Sequence, residues 1–291
     1  WLLPLTYPGV ADYRDLPVWL NVQEPLVPTI VTDMAVFDDL VGWSLRDVDA
    51  FVDYRPPAPG YLVVARGAFD EGALAGLAEV APGIVTTHAG DDLATDIANI
   101  HPLDRLGRAI RLARHDDRIA MSLTTALAER WTEGQGSTLA DDGRLAAVAG
   151  ALDDAGVLMA HVFRNDFSVG SALRAVSAEH ATAITDLVDE VPPFDTVGIG
   201  WAIDAEGEAV TVLAVAPIDG DAAALAAELE TSFAEGVSLV SLRPVSEVLG
   251  ATDFEITAGD RVVTVTYQPR DAFWWTAAQT VFQRDLPFLH G

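Results

Sequence analysis

Residues 109–123 read AIRLARHDDRIAMSL. Two apolar runs flank a polar centre, which predicts a β-hairpin turning on His115-Asp116-Asp117. A second stretch, FEITAGDRVVTVTY at 254–267, repeats the arrangement. Its Gly259-Asp260-Arg261-Val262 echoes Asp116-Asp117-Arg118-Ile119. Working outward, the flanking segments match in order. Before the first hairpin come a buried strand at 61–66 (YLVVAR) and Asp70 as helix N-cap ahead of EGALAGLAEVA, then a strand at Ile84–Thr87. Before the second come a strand at 208–217 (EAVTVLAVAP), Asp219 in the place of Asp70, and the helical GDAAALAAELETSFAEG. Each hairpin leads into a helix. The first is TTALAERW, capped by Thr124 or Thr125. The second is PRDAFWWTAAQTVFQRD, whose Trp274, Trp275, Ala278, Val281 and Phe282 form one apolar stripe.

These units predict an α+β protein of two related lobes, each an antiparallel sheet backed by helices, produced by internal duplication. The lobes span 61–137 and 191–291. Residues 138–190 read as mostly helical linkage with a strand at VLMAHVF. Residues 1–60 are Pro-punctuated and read as an irregular N-terminal wrapping segment with one or two strands and a short helix near Asp47–Phe51, stapled down by Trp19 and Trp43.

The succession PLVPTIV, VFDDLVGWSLRDVDAFV, PPAPGYLVVARGAFDEGALAGL and VGIGWAID resembles a loose group of uncharacterised exported proteins and lipoproteins of GC-rich bacteria. The resemblance covers about residues 26–280 and rests on structural motifs. It implies an α+β fold in an extracytoplasmic setting and carries over no functional residue.

Composition narrows the chemistry further. The 291 residues carry 44 acidic and 17 basic side chains, a net charge of −27, with Asp outnumbering Glu about two to one and every basic residue an Arg. Scarce Asn and Met and absent Lys point to a GC-rich genome, and the acidity equally suits a halophile's surface. Without Cys there is no thiol nucleophile, iron–sulfur cluster, zinc knuckle or disulfide. Without Lys there is no Schiff base and no phosphate-loop lysine, so GQGST at 134–138 is not a nucleotide loop. Nucleic acid is excluded as a partner by charge. No apolar run reaches membrane-spanning length. The chain opens WLLPLTYPG, which suggests a leader removed upstream; any membrane attachment is expected only through a lipid anchor lost with it.

One stretch concentrates metal-type ligands: HAGDDLATDIANIHPLD at 88–104. His88, Asp92, Asp96 and His101 are the candidates for a metal centre, with Asp92 and Asp96 one helical turn apart. No HxH or HExxH spacing accompanies them, and Asp91-Asp92 after Gly90 read as capping acids. The other histidines are dispersed. His161, in an apolar strand, reads as a core imidazole. There is no G-x-S-x-G around Ser171, and DGD at 219–221 and DAEGE at 204–208 lack a calcium-loop pattern.

The expected function is therefore a non-catalytic exported or cell-surface domain that binds a protein or small-molecule partner, without cofactor, metal or catalytic residues. A metal-binding protein or metal-dependent hydrolase built on His88, Asp92, Asp96 and His101 is the alternative, and the cytoplasm of a halophile the alternative location. At −27, self-repulsion opposes the compact state, and salt screens it over about 10 Å at ~0.1 M. The melting temperature should rise between low and moderate NaCl. A flat response would contradict a surface so strongly of one sign.

Overall fold

The computed structural model describes residues 34–44, 47–56, 59–99, 104, 106–134, 136, 138–173, 189–239, 241–269, 280–281, 285 and 288–290. The chain divides into two compact units, Trp1–Gly136 and Ser137–Gly291. Each is α+β around one antiparallel sheet, as the hairpins predict.

The first unit holds α1 (Met34–Val41), β1 (Val48–Tyr54), β2 (Leu62–Gly67), β3 (Ala78–Ala81), β4 (Ile84–Thr86), β5 (Arg111–His115), β6 (Arg118–Ser122) and α2 (Thr125–Thr132). Its sheet runs β1-β2-β6-β5-β4-β3, antiparallel throughout. The 109–123 hairpin closes on Asp116-Asp117, with His115 opposite Arg118. Asp116 takes the left-handed conformation that so tight a turn needs (φ 52°). One sheet face packs Val63, Ala65, Leu112, Ile119 and Met121 against Phe37 and Val41 of α1. Trp43 joins that core, meeting Phe37 and Phe69 edge-on at 4.8 and 5.2 Å. The other face packs Ile84 and Ala113 against Ala128 and Trp131 of α2.

Two expectations are corrected here. Residues 71–81 are not a helix: 71–77 form turns and Ala78–Ala81 is strand. Leu74 is left-handed (φ 70°) and its N–H donates to Val41 O at 2.8 Å, while Arg114 donates to the carbonyls of Phe69 and Asp70. Two glycines, each costing a helix interior about 1 kcal/mol, leave the segment open to those long-range bonds. Nor is there a helix at Asp47–Phe51, because VDAFVDY, rich in β-branched and aromatic residues, forms edge strand β1. Gly67 lets β1 approach; a Cβ there would lie 1.9 Å from Asp47 O. The described part of the N-terminal segment contains helix α1 and strand β1. Trp1 and Trp19 lie outside the described residues.

The second unit holds α3 (Gly143–Asp154), β7 (Met159–Arg164), α4 (Val169–Leu173), β8 (Asp189–Val191), β9 (Phe194–Ile203), β10 (Ala209–Pro217), α5 (Ala222–Glu235), α6 (Val245–Leu249), β11 (Glu255–Ala258), β12 (Val263–Tyr267) and β13 (Phe288–His290). The main sheet runs β11-β12-β10-β9-β7, and β13 pairs with β8 in parallel. The stretch expected as linkage therefore supplies an edge strand, β7, to this sheet. Asp221 caps α5, accepting from Ala224 N at 2.9 Å. Leu225, Leu229 and Phe233 of α5 cover Val197, Ile199, Leu213 and Val215 on one face. Val148 and Leu152 of α3 cover Val212 and Ala214 on the other. The described turn of the predicted closing helix, Thr280-Val281, places Val281 in the first of these cores; Trp274, Trp275, Ala278 and Phe282 lie outside the described residues.

Four strands follow the same order in both units: β1-β2-β6-β5 and β9-β10-β12-β11. Between the second and third strands in sequence, the first unit inserts the β3–β4 hairpin and the second inserts α5 and α6. The similarity ends at those strands, and the duplication stands as a proposal. Among the described residues no helix is long and apolar enough to cross a membrane.

Helix α3 lies close on β9 because residue 198 is glycine, and β7 with the turn before it lies close because residue 200 is. A Cβ on Gly198 would come within 2.4 Å of Val148 Cγ1, and one on Gly200 within 2.4 Å of Val157 Cγ1 and 2.6 Å of Met159 O. Gly200→Ala should therefore destabilise the protein by about 1–3 kcal/mol through overpacking. Urea unfolding measures this; an unchanged midpoint would contradict the close approach.

Candidate functional site

The 88–104 candidates are arranged by β4, β5 and the start of α2. Arg111, the first residue of β5, is buried. A buried guanidinium needs acceptors for its five N–H groups. Arg111 Nη1 donates to Thr86 Oγ1 at 2.6 Å and Nη2 to Gly90 O at 2.6 Å. Its Nε donates to Asp92 Oδ1 at 2.9 Å and lies 3.2 Å from Thr125 Oγ1. Asp92 in turn accepts from Thr125 N at 2.7 Å and Thr125 Oγ1 at 2.9 Å. Asp92 thus stands at the N-terminus of α2, where its charge meets the helix's positive end. Thr124 or Thr125 was the expected cap; Thr124 holds the capping position, but its side chain makes no capping bond, and the carboxylate that meets the helix start comes from 33 residues upstream.

His88 is engaged on both sides. Thr87 Oγ1 accepts from Ile110 N at 3.1 Å and lies 3.0 Å from His88 Nδ1. Nε2 lies 3.1 Å from Gly107 O, and the Nε2–H tautomer satisfies both contacts. Asp96 is exposed, accepting from Ala98 N at 3.2 Å to cap the 3₁₀ turn Ile97–Asn99. Asp104 is buried and closes on Arg108 through bonds of 3.0 and 2.8 Å, also accepting from Leu106 N at 2.8 Å. Beside it, burial foremost and then the Asp104 charge push the Tyr61 phenol far above its ordinary value, so Tyr61 is a fixed hydroxyl.

The alternative metal centre requires four candidates to converge, and three of them are described. His88 serves the 107 carbonyl, Asp92 the α2 terminus and Asp96 its own turn. His101 lies outside the described residues. Among the described residues no group of three or more His, Asp or Glu side chains is placed to hold a metal ion. The two acidic stretches with a calcium flavour also have local duties. Asp221 caps α5, and Asp204 Oδ1 accepts from Glu206 N and Glu208 N at 3.1 and 2.8 Å.

The second unit has a polar knot with no motif in the sequence to mark it. Ser238 Oγ donates to Asp285 Oδ2 at 2.7 Å and accepts from Ser241 N and Oγ at 2.9 and 2.8 Å. It lines a cavity of about 20 Å³ with Ile199, Leu213, Tyr267 and Thr280. That holds one water, against the roughly 300–1,000 Å³ of a ligand pocket. Burial holds the Tyr267 phenol far above its ordinary value, which leaves it protonated there. His161 of β7 is half-buried, with its ring 6.1 Å from that of Phe163 and 6.3 Å from that of Trp201.

No family model and no curated protein matches the chain. Among solved structures, the crystal structure of the di-domain ARO/CYC StfQ from the steffimycin biosynthetic pathway aligns over 89% of this chain and 88% of its own. The identity is 11% and the TM-score 0.11. A likeness so slight carries no statement about fold or activity.

Burial acts to raise the Asp92 carboxyl, but the Thr125 amide and hydroxyl and the Arg111 guanidinium together hold it below its ordinary 3.8. A lowered folded value contributes stability that is complete above the unfolded value and lost as pH falls through the folded one. Melting temperature should therefore fall through an acid limb below about pH 4 to which Asp92 contributes, and Asp92→Asn should make that limb shallower. At neutral pH the same variant should cost about 1–3 kcal/mol, since it leaves buried Arg111 without its counter-charge. An Asp92→Asn protein with wild-type stability at pH 7 would contradict the role.

Proposed function

We propose that this chain is a non-catalytic, exported or cell-surface domain that binds a partner or ligand. The observation that carries the reading is the use made of the 88–111 side chains. The histidine and carboxylates that would form a reactive centre are engaged in holding a surface loop. Both ring nitrogens of His88 have hydrogen-bond partners, Asp92 accepts three hydrogen bonds, and Asp104 is closed on Arg108. A general base needs a lone pair facing a substrate-sized space, and a metal needs convergent donors. A scaffold that fixes an exposed loop suits recognition instead. The extracytoplasmic setting rests on the resemblance to exported proteins, and the strong acidity suits a protein that must stay soluble at the cell surface.

The metal-dependent alternative is tested on the purified protein by calorimetric titration with zinc and with manganese, each paired with a thermal melt. We expect no saturable one-to-one binding and an unmoved melting temperature. Stoichiometric retention with a raised melting temperature, lost in Asp92→Asn, would overturn the reading in favour of a metal centre.

A further inference from the structure

Residues 91–98 (DDLATDIA) are exposed without a break, yet the segment is pinned along its length. Arg111 holds the Gly90 carbonyl and the Asp92 carboxylate. Leu93 N donates to Leu123 O at 3.3 Å, and Asp96 N to Leu106 O at 3.0 Å. The last bond sets the 104–108 turn beside the 3₁₀ turn. Three large apolar side chains are thereby presented to solvent: Leu93 at 37% exposure, Ile97 at 69% and Leu106 at 46%. Leu93 does so from the left-handed region, φ 64°, which a leucine rarely adopts. Apolar side chains held outward on a pinned loop have already lost the freedom that a binding segment otherwise gives up on association. Asp91 and Asp96 lie on the same exposed segment as Leu93 and Ile97, in a chain of net charge −27.

We propose that this face docks a cationic, amphipathic protein segment: apolar anchors seat on Leu93, Ile97 and Leu106, and flanking Arg or Lys residues meet Asp91 and Asp96. The inference rests on the reading of the chain as a partner-binding domain. Charge complementarity selects the occupant. A second copy brings another −27 to the contact, and phosphate-rich surfaces are repelled in the same way, whereas a basic segment is drawn in and held. Affinity should come from the apolar side chains and the on-rate from the acidic ones.

The test is selection of a displayed random peptide library, about a dozen residues long, against the full chain at ~0.15 M NaCl, followed by binding measurements on the enriched peptides. We expect them to be net positive with spaced apolar residues. They should bind Ile97→Asp at least ~10-fold more weakly than wild type, and bind Leu242→Asn, an exposed apolar site in the second unit, unchanged. Asp91→Asn should weaken binding about 2–3-fold and reduce its salt dependence. All three variants are surface changes whose folding is checked by an unchanged melting temperature. Enriched peptides that ignore Ile97→Asp, or that are neutral or acidic, would overturn the docking face while leaving a binding domain intact. Enrichment of nothing would overturn both.

Discussion

The guanidinium of Arg111 is the point on which the described first unit turns. It sits at the start of a central strand, out of water, and must find acceptors or cost several kcal/mol. It finds them on three other segments: the Thr86 hydroxyl at the end of β4, the Gly90 carbonyl and Asp92 carboxylate in the loop, and the Thr125 hydroxyl at the start of α2. One side chain therefore ties sheet, loop and helix together. The Asp92 carboxylate completes the arrangement by meeting the positive end of α2 as well as the arginine. Neutralising that carboxylate would weaken its hold on both partners at once.

The same logic recurs in the second unit with different residues. Asp142 caps α3, accepting from Arg144 N and Leu145 N at 3.1 and 3.3 Å, and it pairs with Arg164 of β7. Asp195 of β9 holds Arg144 at 2.9 Å and Arg164 at 3.4 Å. Burial opposes ionisation of Asp142, but the two amides and the two arginines hold its carboxyl below the ordinary value. In a chain with 44 acids and 17 arginines, the scarce cations are drawn into such clasps. The excess carboxylate is left on the surface, where it disfavours self-association and anionic partners.

Local signals were legible in the sequence and long-range ones were not. The 109–123 and 254–267 hairpins are contained in contiguous alternating stretches, and α5 in the contiguous helical stretch 220–236, although Asp221 caps it and not Asp219, the residue in the place of Asp70. EGALAGLAEVA fits a helical period equally well, and only Leu74 bonding to Val41 and Arg114 gripping Phe69 and Asp70 decide for turns and a strand. The 88–104 cluster stood out by composition, but its meaning depended on Arg111, 19 residues from Asp92, and on Thr125, 33 residues away. Nothing in the spacing of His and Asp distinguishes a ligand set from a scaffold. The Ser238–Asp285 bond joins residues 47 apart with no motif at all. The exposed Leu93, Ile97 and Leu106 likewise read as ordinary apolar residues until the fold turned them outward.

The central claim is that Arg111 holds the loop and α2 in place rather than merely filling the core. Native-state hydrogen exchange on wild type and Arg111→Met tests it most directly, because methionine keeps the apolar stem and removes the five donors. The account predicts a selective loss of protection at the amides of Leu93, Asp96 and Thr125, with the paired amides of β2 and β6 still protected. Uniform loss across the sheet, or no loss at those three amides, would contradict it.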